Sequence, residues 1–321
     1  MNYAIGELLF FLVKLRELKV WWDTKKMKIQ HYRSMLCSRL KTERLPWRAF
    51  SWGSVENEMV GMRDEFGSFS NPISNDPKYI FLIPLISRAK AKDWIVVCQL
   101  LKVTLEALVS QSNPNWKAII CGQNSPDFEL NDCRVEFLKF QDHEPTTNKF
   151  DKFEKLEQCI QHIKETHPAD GFLHVLDADD VLHREFVSFV SRHPNVNGFI
   201  INKGFMLAPG GTNGRYLAPR DVTKFRLVSD TLADSCGSSM SCYFDTREGG
   251  LEFKLFHALA KQSHGWFEHL AILLGRPLVR VPFPALIYNV LHGNNDYGGR
   301  VQPPQLSVEH VKYISDNFTT L

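Results

Sequence analysis

Three aspartates follow an apolar segment in the stretch GFLHVLDADDVL (171–182), and their types and spacing are suited to chemistry. Asp177, Asp179 and Asp180 stand within four positions, so their charges repel one another and lose hydration on burial. They lie on a solvated turn, or a positive group neutralises them. Asp177 and Asp179 together suit Mg²⁺ or Mn²⁺, which accept carboxylate, water and phosphate oxygens. A metal that bridges a diphosphate stabilises it as a leaving group, which predicts a nucleotide-sugar substrate.

The elements before these aspartates decide where the carboxylates lie. Continuous apolar runs predict buried strands, and helical periodicity, with Asp93 as an N-cap, predicts helices. The strands are predicted at 78–86, 115–122, 133–140 and 171–180, and the helices at 93–112 and 149–166. This order predicts an α/β fold with a mostly parallel sheet flanked by helices. Ligands of such folds bind beyond the carboxyl ends of the strands, which is where the aspartates stand.

Several classes of protein are disfavoured by the sequence. It contains no GxxxxGK[ST] loop and no GxGxxG turn after the first strand, which argues against P-loop and dinucleotide enzymes. Its seven cysteines form no CxxC pair, as expected of a reduced, cytoplasmic chain. We see no secretory signal, and the apolar stretch YAIGELLFFLV is too short to span a bilayer. The net charge of +2 indicates no nucleic-acid partner.

The N-terminal segment differs in charge from the rest of the chain. Residues 1–48 carry eleven Lys/Arg against four Asp/Glu, and leucines recur there at helical spacing. One interpretation is an amphipathic helix at the inner face of an anionic membrane. The other, which we favour, is a helix packed on the main domain or on a second copy of the chain. The Gly-, Ser- and Asn-rich residues 51–77 predict a linker.

Residues 78–182 resemble the nucleotide-binding half of a GT-A fold glycosyltransferase, and they are most similar to family 2. The resemblance rests on the order of four segments, IPLISR, TLEALVSQS, WKAIICGQNSPD and FLHVLDADD. It implies a GT-A domain over 71–300, which leaves the helical extension and linker predicted above over 1–70 and a C-terminal tail over 301–321. Within the domain, it implies a nucleotide-sugar half at 78–182 and an acceptor half at 183–300.

The resemblance also implies roles for residues of the donor half. The residues implied to bind the donor are Pro84, Ser87, Arg88, Asp127, Lys152, Lys155 and Asp177. Asp127 would stand near the nucleotide base, although the family more often has an acidic pair directly after this strand. The lysines would approach the diphosphate, and their alternative is a solvated helix face. Asp177 would face the ribose or the metal, Asp179 would ligate the metal, and Asp180 would cap the next turn.

In the acceptor half, the resemblance implies a catalytic base and a further ligand. Glu268 would deprotonate the acceptor, with His264 as the alternative base, and His292 would complete the metal shell or contact the diphosphate. The plainer interpretations are a first-turn acid for Glu268 and a loop histidine for His292. Trp266 and Phe267 fit sugar stacking and core packing equally well. Residues 237–245, GSSMSCYFD, are more typical of a surface loop than of a sugar site.

These observations lead to an expected function with two alternatives. We expect a metal-dependent inverting glycosyltransferase that moves a sugar from a nucleotide-diphosphate sugar to a hydroxyl acceptor, such as a glycan, polysaccharide or lipid-linked acceptor. The alternatives are a non-catalytic GT-A-like scaffold or binding protein, and nucleotidyl transfer on a related fold. We expect Mn²⁺ or Mg²⁺ as the cofactor, and peripheral membrane contact or homo-oligomerisation through residues 1–48.

Overall fold

Two sheets carry the described part of the chain, which the computed structural model gives as residues 77–140, 151–166, 170–193, 197–219, 231–246, 256, 264, 267–274, 276–294 and 303–319. The strands are β1 Lys78–Pro84, β2 Trp116–Gly122, β3 Val135–Lys139, β4 Asp170–Val175, β5 Val181–Leu182, β6 Gly198–Ile200, β7 Gly204–Leu207, β8 Gly214–Leu217, β9 Met240–Asp245, β10 Val279–Arg280 and β11 Leu286–Asn289. The helices are α1 Trp94–Val109, α2 Lys152–Thr166, α3 Phe186–Arg192, α4 Phe267–Leu273 and α5 Val308–Asn317.

The main sheet has seven strands in the order β10-β6-β9-β4-β1-β2-β3. Strands β4, β1, β2 and β3 are parallel neighbours, and β9 runs antiparallel between β4 and β6. The predicted fold class is thereby confirmed: the chain has a mixed α/β architecture with a mostly parallel central sheet flanked by helices. Its parallel half places the carboxyl ends of β1, β2 and β4 at one edge.

Local sequence explains the first elements of this sheet. The run Ile80–Ile83 in β1 is completely buried, as its continuous apolar composition predicts. Helix α1 begins after Asp93, whose side chain accepts hydrogen bonds from the backbone N–H groups of Ile95 and Val96 at 3.0 and 3.1 Å. The predicted N-cap is confirmed, and α1 therefore starts beside the carboxyl end of β1.

Strand β9 corrects the interpretation of residues 237–245 as a surface loop, which is wrong. Every residue of β9 is buried, and the strand pairs with β4 and with β6 in the middle of the main sheet. The polar residues of the segment had suggested exposure to solvent. The turn Gly237–Ser239 directly before β9 lies at the carboxyl end of β4.

A second sheet of four strands, in the order β5-β11-β7-β8, is formed by segments within 181–289. Helix α5 lies in the residues that the sequence analysis assigned to a tail, and its Ile314 and the following Phe318 are buried against Phe205 and Ile287 of this sheet. Within the described residues, none of the helices combines the length and apolar composition needed to cross a bilayer. The predicted extension at 1–70, including residues 1–48, lies outside the described residues.

Candidate functional site

A cavity of about 610 Å³ lies beyond the carboxyl ends of β1 and β4. Its apolar lining includes Leu85, Val97 and Leu156, from the residues after β1 and from helices α1 and α2. Its ionisable lining comes from the loop after β1, from α2 and the residue before it, from the segment after β4 and from two later segments, and includes Lys90, Asp151, Lys152, Lys155, Asp177, Asp179, His264 and His292. Pockets that hold small ligands have about this volume and combine an apolar lining with a few polar groups in the same way.

Asp177, the first of the three aspartates, is neutralised by a lysine of the chain itself. The Lys152 ammonium donates to Asp177 Oδ1, and both side chains are about three-quarters buried. Burial disfavours the charge of Lys152, but the Asp177 carboxylate outweighs it and raises the pKa of the ammonium above its usual range. Lys152 is therefore not on a solvated helix face, and it presents a fixed positive charge to the cavity.

Asp179 is bonded to the predicted histidine. Its Oδ2 lies 2.7 Å from His292 Nε2, and its backbone carbonyl accepts from Asn289 Nδ2 at 2.6 Å. Segments 113 residues apart in the chain thus meet at one carboxylate. The structure brings Asp177, Asp179 and His292 to the wall of the same cavity, and their roles as ligands stay predictions.

Asp180 behaves differently from its two neighbours. Its side chain is completely buried, does not line the cavity, and accepts the S–H of Cys236 at 3.1 Å. Burial, together with the charges of Asp179 and Asp177, raises the pKa of the Asp180 carboxyl well above its usual range. The interpretation of Asp180 as a cap of the next turn is wrong, because the side chain faces the interior.

The loop that carries His292 has strained backbone. Leu291 has φ = 64°, and it is the one residue other than glycine with positive φ among the described residues. A left-handed conformation costs a residue with a Cβ about 1–2 kcal/mol, so flanking contacts must hold it. Those contacts are Asn289 on one side and Asn294 on the other, whose Oδ1 accepts from the backbone N–H groups of Lys92 and Asp93. The loop therefore bridges Asp179 and the start of α1.

Lys155, the second predicted lysine, is 1% exposed and structurally engaged. Its ammonium donates to the backbone carbonyl of Leu85 at 2.8 Å and lies 3.0 Å from Asp151 Oδ2. Burial lowers the pKa of Lys155, although the Asp151 carboxylate opposes this. The alternative of a solvated helix face is therefore wrong for Lys155 as well. It ties α2 to the end of β1 at the wall of the cavity.

The other residues predicted to bind the donor divide into two groups. Pro84 lines the cavity, whereas Ser87, Arg88 and Asp127 are not among its lining residues. Ser87 is fully buried, and Arg88 forms an ion pair with Asp127 in which both side chains are about half exposed. The structure thus joins Arg88, after β1, to Asp127, after β2, and their donor-binding roles stay predictions.

The two candidate bases lie in different surroundings. Glu268, in the first turn of α4, accepts from Arg280 Nε at 2.6 Å and is not among the residues that line the cavity. His264 lines the cavity, and burial followed by the nearby Lys152 charge lowers the pKa of its imidazole, so that it is neutral at pH 7. Phe267 is 4% exposed and reaches both the core and the cavity wall. Trp266 lies outside the described residues.

The segment just before β9 contacts the aspartates, although the sequence favoured a surface loop for its residues 237–239. Ser238 Oγ accepts the backbone N–H of Asp177 at 2.8 Å, and Cys236 contacts Asp180. A Cβ on Gly237 would lie 3.3 Å from both Asp177 Oδ2 and Lys152 Nζ, so a larger residue there would crowd the ion pair. The available signal was the run of small residues in CGSSMSC, which suits close approach of backbone to a site.

The predicted metal ion would take its protein ligands from the cavity wall. Among the described residues, no group of three or more His, Cys, Asp or Glu side chains is arranged to hold a metal ion. Mg²⁺ and Mn²⁺ are often held by one or two carboxylates, with water and substrate phosphate as further ligands. Asp179 and His292 therefore suit such an ion in chemical type, with most of its ligands supplied by substrate and water, whereas Asp177 is held by Lys152.

Comparison with protein-family models finds no match, and comparison with curated proteins finds none either. Among solved structures, the chain is similar to the apo form of glycosyltransferase GlyE from Streptococcus pneumoniae TIGR4, with TM-score 0.35 and 10% identity over 70% of this chain and 57% of that chain. A second GlyE structure matches with TM-score 0.34 and 10% identity over 70% of this chain and 58% of that chain. The match covers less than two thirds of either GlyE chain. A mixed α/β fold is what the structure itself establishes.

Proposed function

We propose that this chain is a glycosyltransferase that moves a sugar from a nucleotide-diphosphate sugar to a hydroxyl acceptor, with inversion at the anomeric carbon. The observation that carries the proposal is the convergence of Asp177, Asp179, Lys152 and His292 on one cavity beyond parallel strands. Carboxylates suit a cation and sugar hydroxyls, whereas the ammonium and the imidazole suit phosphate oxygens. A diphosphate sugar presents all of these groups within one molecule.

The diphosphate end of the donor would lie against Lys152 and His292. Lys152 already carries a positive charge at the carboxyl end of β4, and His292 is held there by the strained loop. Charge that develops on the departing diphosphate is stabilised most by donors that are fixed before the reaction. Asp179 and His292 would hold Mn²⁺ or Mg²⁺ together with water and phosphate oxygens, while Asp177 stays on Lys152, and the ion would supply further charge stabilisation to the leaving diphosphate.

The acceptor hydroxyl would lose its proton to a base on the opposite side of the sugar. His264 fits this role because it lines the cavity and is neutral at pH 7. Glu268 retains the role that the family resemblance implies, but it would first have to leave Arg280. As the acceptor oxygen bonds to the anomeric carbon, the bond from that carbon to the diphosphate breaks and the proton remains on the base.

A non-catalytic function is favoured by one observation. Asp177 pairs with Lys152 and Asp179 bonds to His292, so each carboxylate has a polar partner within the chain and needs no metal as a partner. A scaffold or sugar-nucleotide binding protein could use the same cavity without turnover. Nucleotidyl transfer is the other alternative, and it would release pyrophosphate instead of a nucleoside diphosphate.

A two-step experiment tests the proposal. The full chain is first screened by thermal shift against nucleotide-diphosphate sugars with and without Mn²⁺, because a ligand that binds only the native state raises its stability. Each donor that shifts the melting temperature is then incubated with glycan acceptors, and nucleoside diphosphate and pyrophosphate are quantified. Nucleoside diphosphate released with transferred or free sugar supports the proposal. Binding without any release supports the scaffold, pyrophosphate release supports nucleotidyl transfer, and no binding to any donor refutes the site.

Asp179→Asn is the matched control for the screen. It keeps the size of the side chain and its contact with His292 but removes the charge, so it should abolish the Mn²⁺-dependent part of the thermal shift. The same shift in Asp179→Asn and in the unaltered chain would contradict a metal at Asp179.

A further inference from the structure

A chain of buried hydrogen bonds runs from the core of the main sheet to the first of the three aspartates. Tyr79 on β1 lies with its hydroxyl 3.1 Å from Nδ1 of His174 on β4. Nε2 of the same imidazole lies 3.0 Å from the backbone carbonyl of Ser238. Ser238 Oγ then accepts the backbone N–H of Asp177 at 2.8 Å. Four residues from three separate segments are thus linked in series.

The chemistry of the partners determines the direction of each bond. A backbone carbonyl can only accept, so His174 Nε2 carries the proton and donates it to Ser238. Burial lowers the pKa of His174 to about 3, so the imidazole is neutral and its Nδ1 accepts the Tyr79 O–H. His174 is therefore held in one tautomer and one orientation by two partners, while it holds the 237–239 turn.

Apolar packing alone does not account for this arrangement. Tyr79 and His174 are 2% and 0% exposed among Phe81, Phe172 and Phe186. A polar pair in such a place loses hydration, and a leucine would fill the space without that loss. Networks of this kind specify one orientation, and here the fixed segment is the turn against which Asp177 and Lys152 lie.

We propose that Tyr79, His174 and Ser238 are positioning residues, which hold the 237–239 turn against Asp177 so that the aspartate and Lys152 face the cavity. The inference rests on the proposed function only in what the positioning serves, namely donor binding. None of the three contacts the donor, and each acts through the backbone at Asp177.

Two variants of His174 test the inference. His174→Leu removes both hydrogen bonds, whereas His174→Gln keeps a donor for the Ser238 carbonyl and an acceptor for Tyr79. Amide hydrogen exchange of the segment 176–180 is measured in the absence of any ligand. Exchange at Asp177 should be at least about fivefold faster in His174→Leu, the effect of one lost hydrogen bond, and near normal in His174→Gln. Unchanged exchange in a folded His174→Leu protein would overturn the inference, whatever the donor experiments show.

His183→Leu is the matched control, because His183 is a second buried histidine that does not line the cavity. It packs against Phe283, Tyr313 and Phe318, and its loss should lower stability without changing exchange at Asp177. An equal increase in the exchange rate at Asp177 in His174→Leu and His183→Leu would mean that exchange follows global stability. That result would overturn the inference. If His174→Leu does not fold, Ser238→Ala and Tyr79→Phe carry the same test, since each removes one link.

Donor affinity is then measured by calorimetry with Mn²⁺ and the donor that the thermal-shift screen identifies. Its Kd should rise at least about fivefold in His174→Leu and return to within about twofold in His174→Gln. An unchanged Kd in a variant with faster exchange would overturn the link to donor binding. If the unaltered chain binds no donor, the proposed function fails, and faster exchange in His174→Leu alone still supports the positioning role.

Discussion

Acid should destabilise this protein through His174, and the size of the effect follows from its burial. The imidazole is completely buried between Tyr79 and the Ser238 carbonyl. Desolvation lowers its pKa from 6.5 to about 3, while the carbonyl and the charge of Asp177 oppose the shift only partly. In the unfolded chain, the same imidazole titrates near 6.5.

The direction of this pH dependence follows from proton binding to the folded and the unfolded chain. Between pH 6.5 and about 3 the unfolded chain binds a proton at His174 that the folded chain does not, so stability rises with pH in this window. The contribution is fully present above pH 6.5 and is lost as the pH falls toward 3. Each pH unit corresponds to about 1.4 kcal/mol once the unfolded imidazole is protonated, which amounts to about 2 kcal/mol between pH 7 and pH 5.

Urea unfolding of the unaltered chain and of His174→Gln at pH 7 and pH 5 measures this difference. Other titrating groups act on both proteins, so the loss of free energy of unfolding should be about 2 kcal/mol smaller in His174→Gln. The loss of free energy of unfolding between pH 7 and pH 5 should also be smaller in His183→Gln, because burial lowers the pKa of His183 to about 4. Equal losses in the unaltered chain and in His174→Gln would refute a neutral, buried His174.

Three further predictions concern the loop, the base and the aspartates. Leu291→Gly should be more stable than Leu291→Ala by about 1 kcal/mol in urea unfolding, because glycine relieves the left-handed strain; the reverse order would contradict that strain. In transfer assays, His264→Ala should reduce the rate by about a hundredfold with donor Kd unchanged, and Glu268→Gln should reduce it less; a hundredfold loss in Glu268→Gln alone would return the role of base to the carboxylate. Asp180→Ala should lower the free energy of unfolding by about 1–3 kcal/mol, because it leaves a void and an unpaired thiol. Asp179→Asn should leave stability nearly unchanged and weaken Mn²⁺-dependent donor binding at least about tenfold in calorimetry. A loss of stability in Asp179→Asn together with a loss of donor binding in Asp180→Ala would show that the two roles are exchanged.

The local sequence pattern was sufficient to predict the parallel strands of the main sheet. The apolar runs that became β1, β2 and β4 are buried on both faces of the sheet, and such strands must read as continuous apolar segments. Asp93 caps its helix through contacts within three residues, so a local rule identifies it. The position of Asp177 at a strand end followed from the same runs.

Strand β9 could not be identified in this way. Its sequence MSCYFD has polar residues at alternate positions, which suggests exposure on one face. The strand is nevertheless buried throughout, because it is inserted antiparallel between β4 and β6 and its Ser241 faces the interior. Pairing with strands that are distant in sequence depends on the whole sheet, so it cannot be predicted from a short stretch of sequence.

The partners of the three aspartates show most clearly which features local sequence predicts and which depend on tertiary packing. Apolar periodicity and the order of segments are local properties, so they were enough to predict that three carboxylates follow a buried strand. They did not determine which positive or polar group meets each of them. Lys152 on Asp177, His292 on Asp179 and Cys236 on Asp180 come from segments 25 to 113 residues away. Only tertiary packing brings such groups within hydrogen-bonding distance, because ion pairs and hydrogen bonds act over a few ångströms irrespective of separation along the chain.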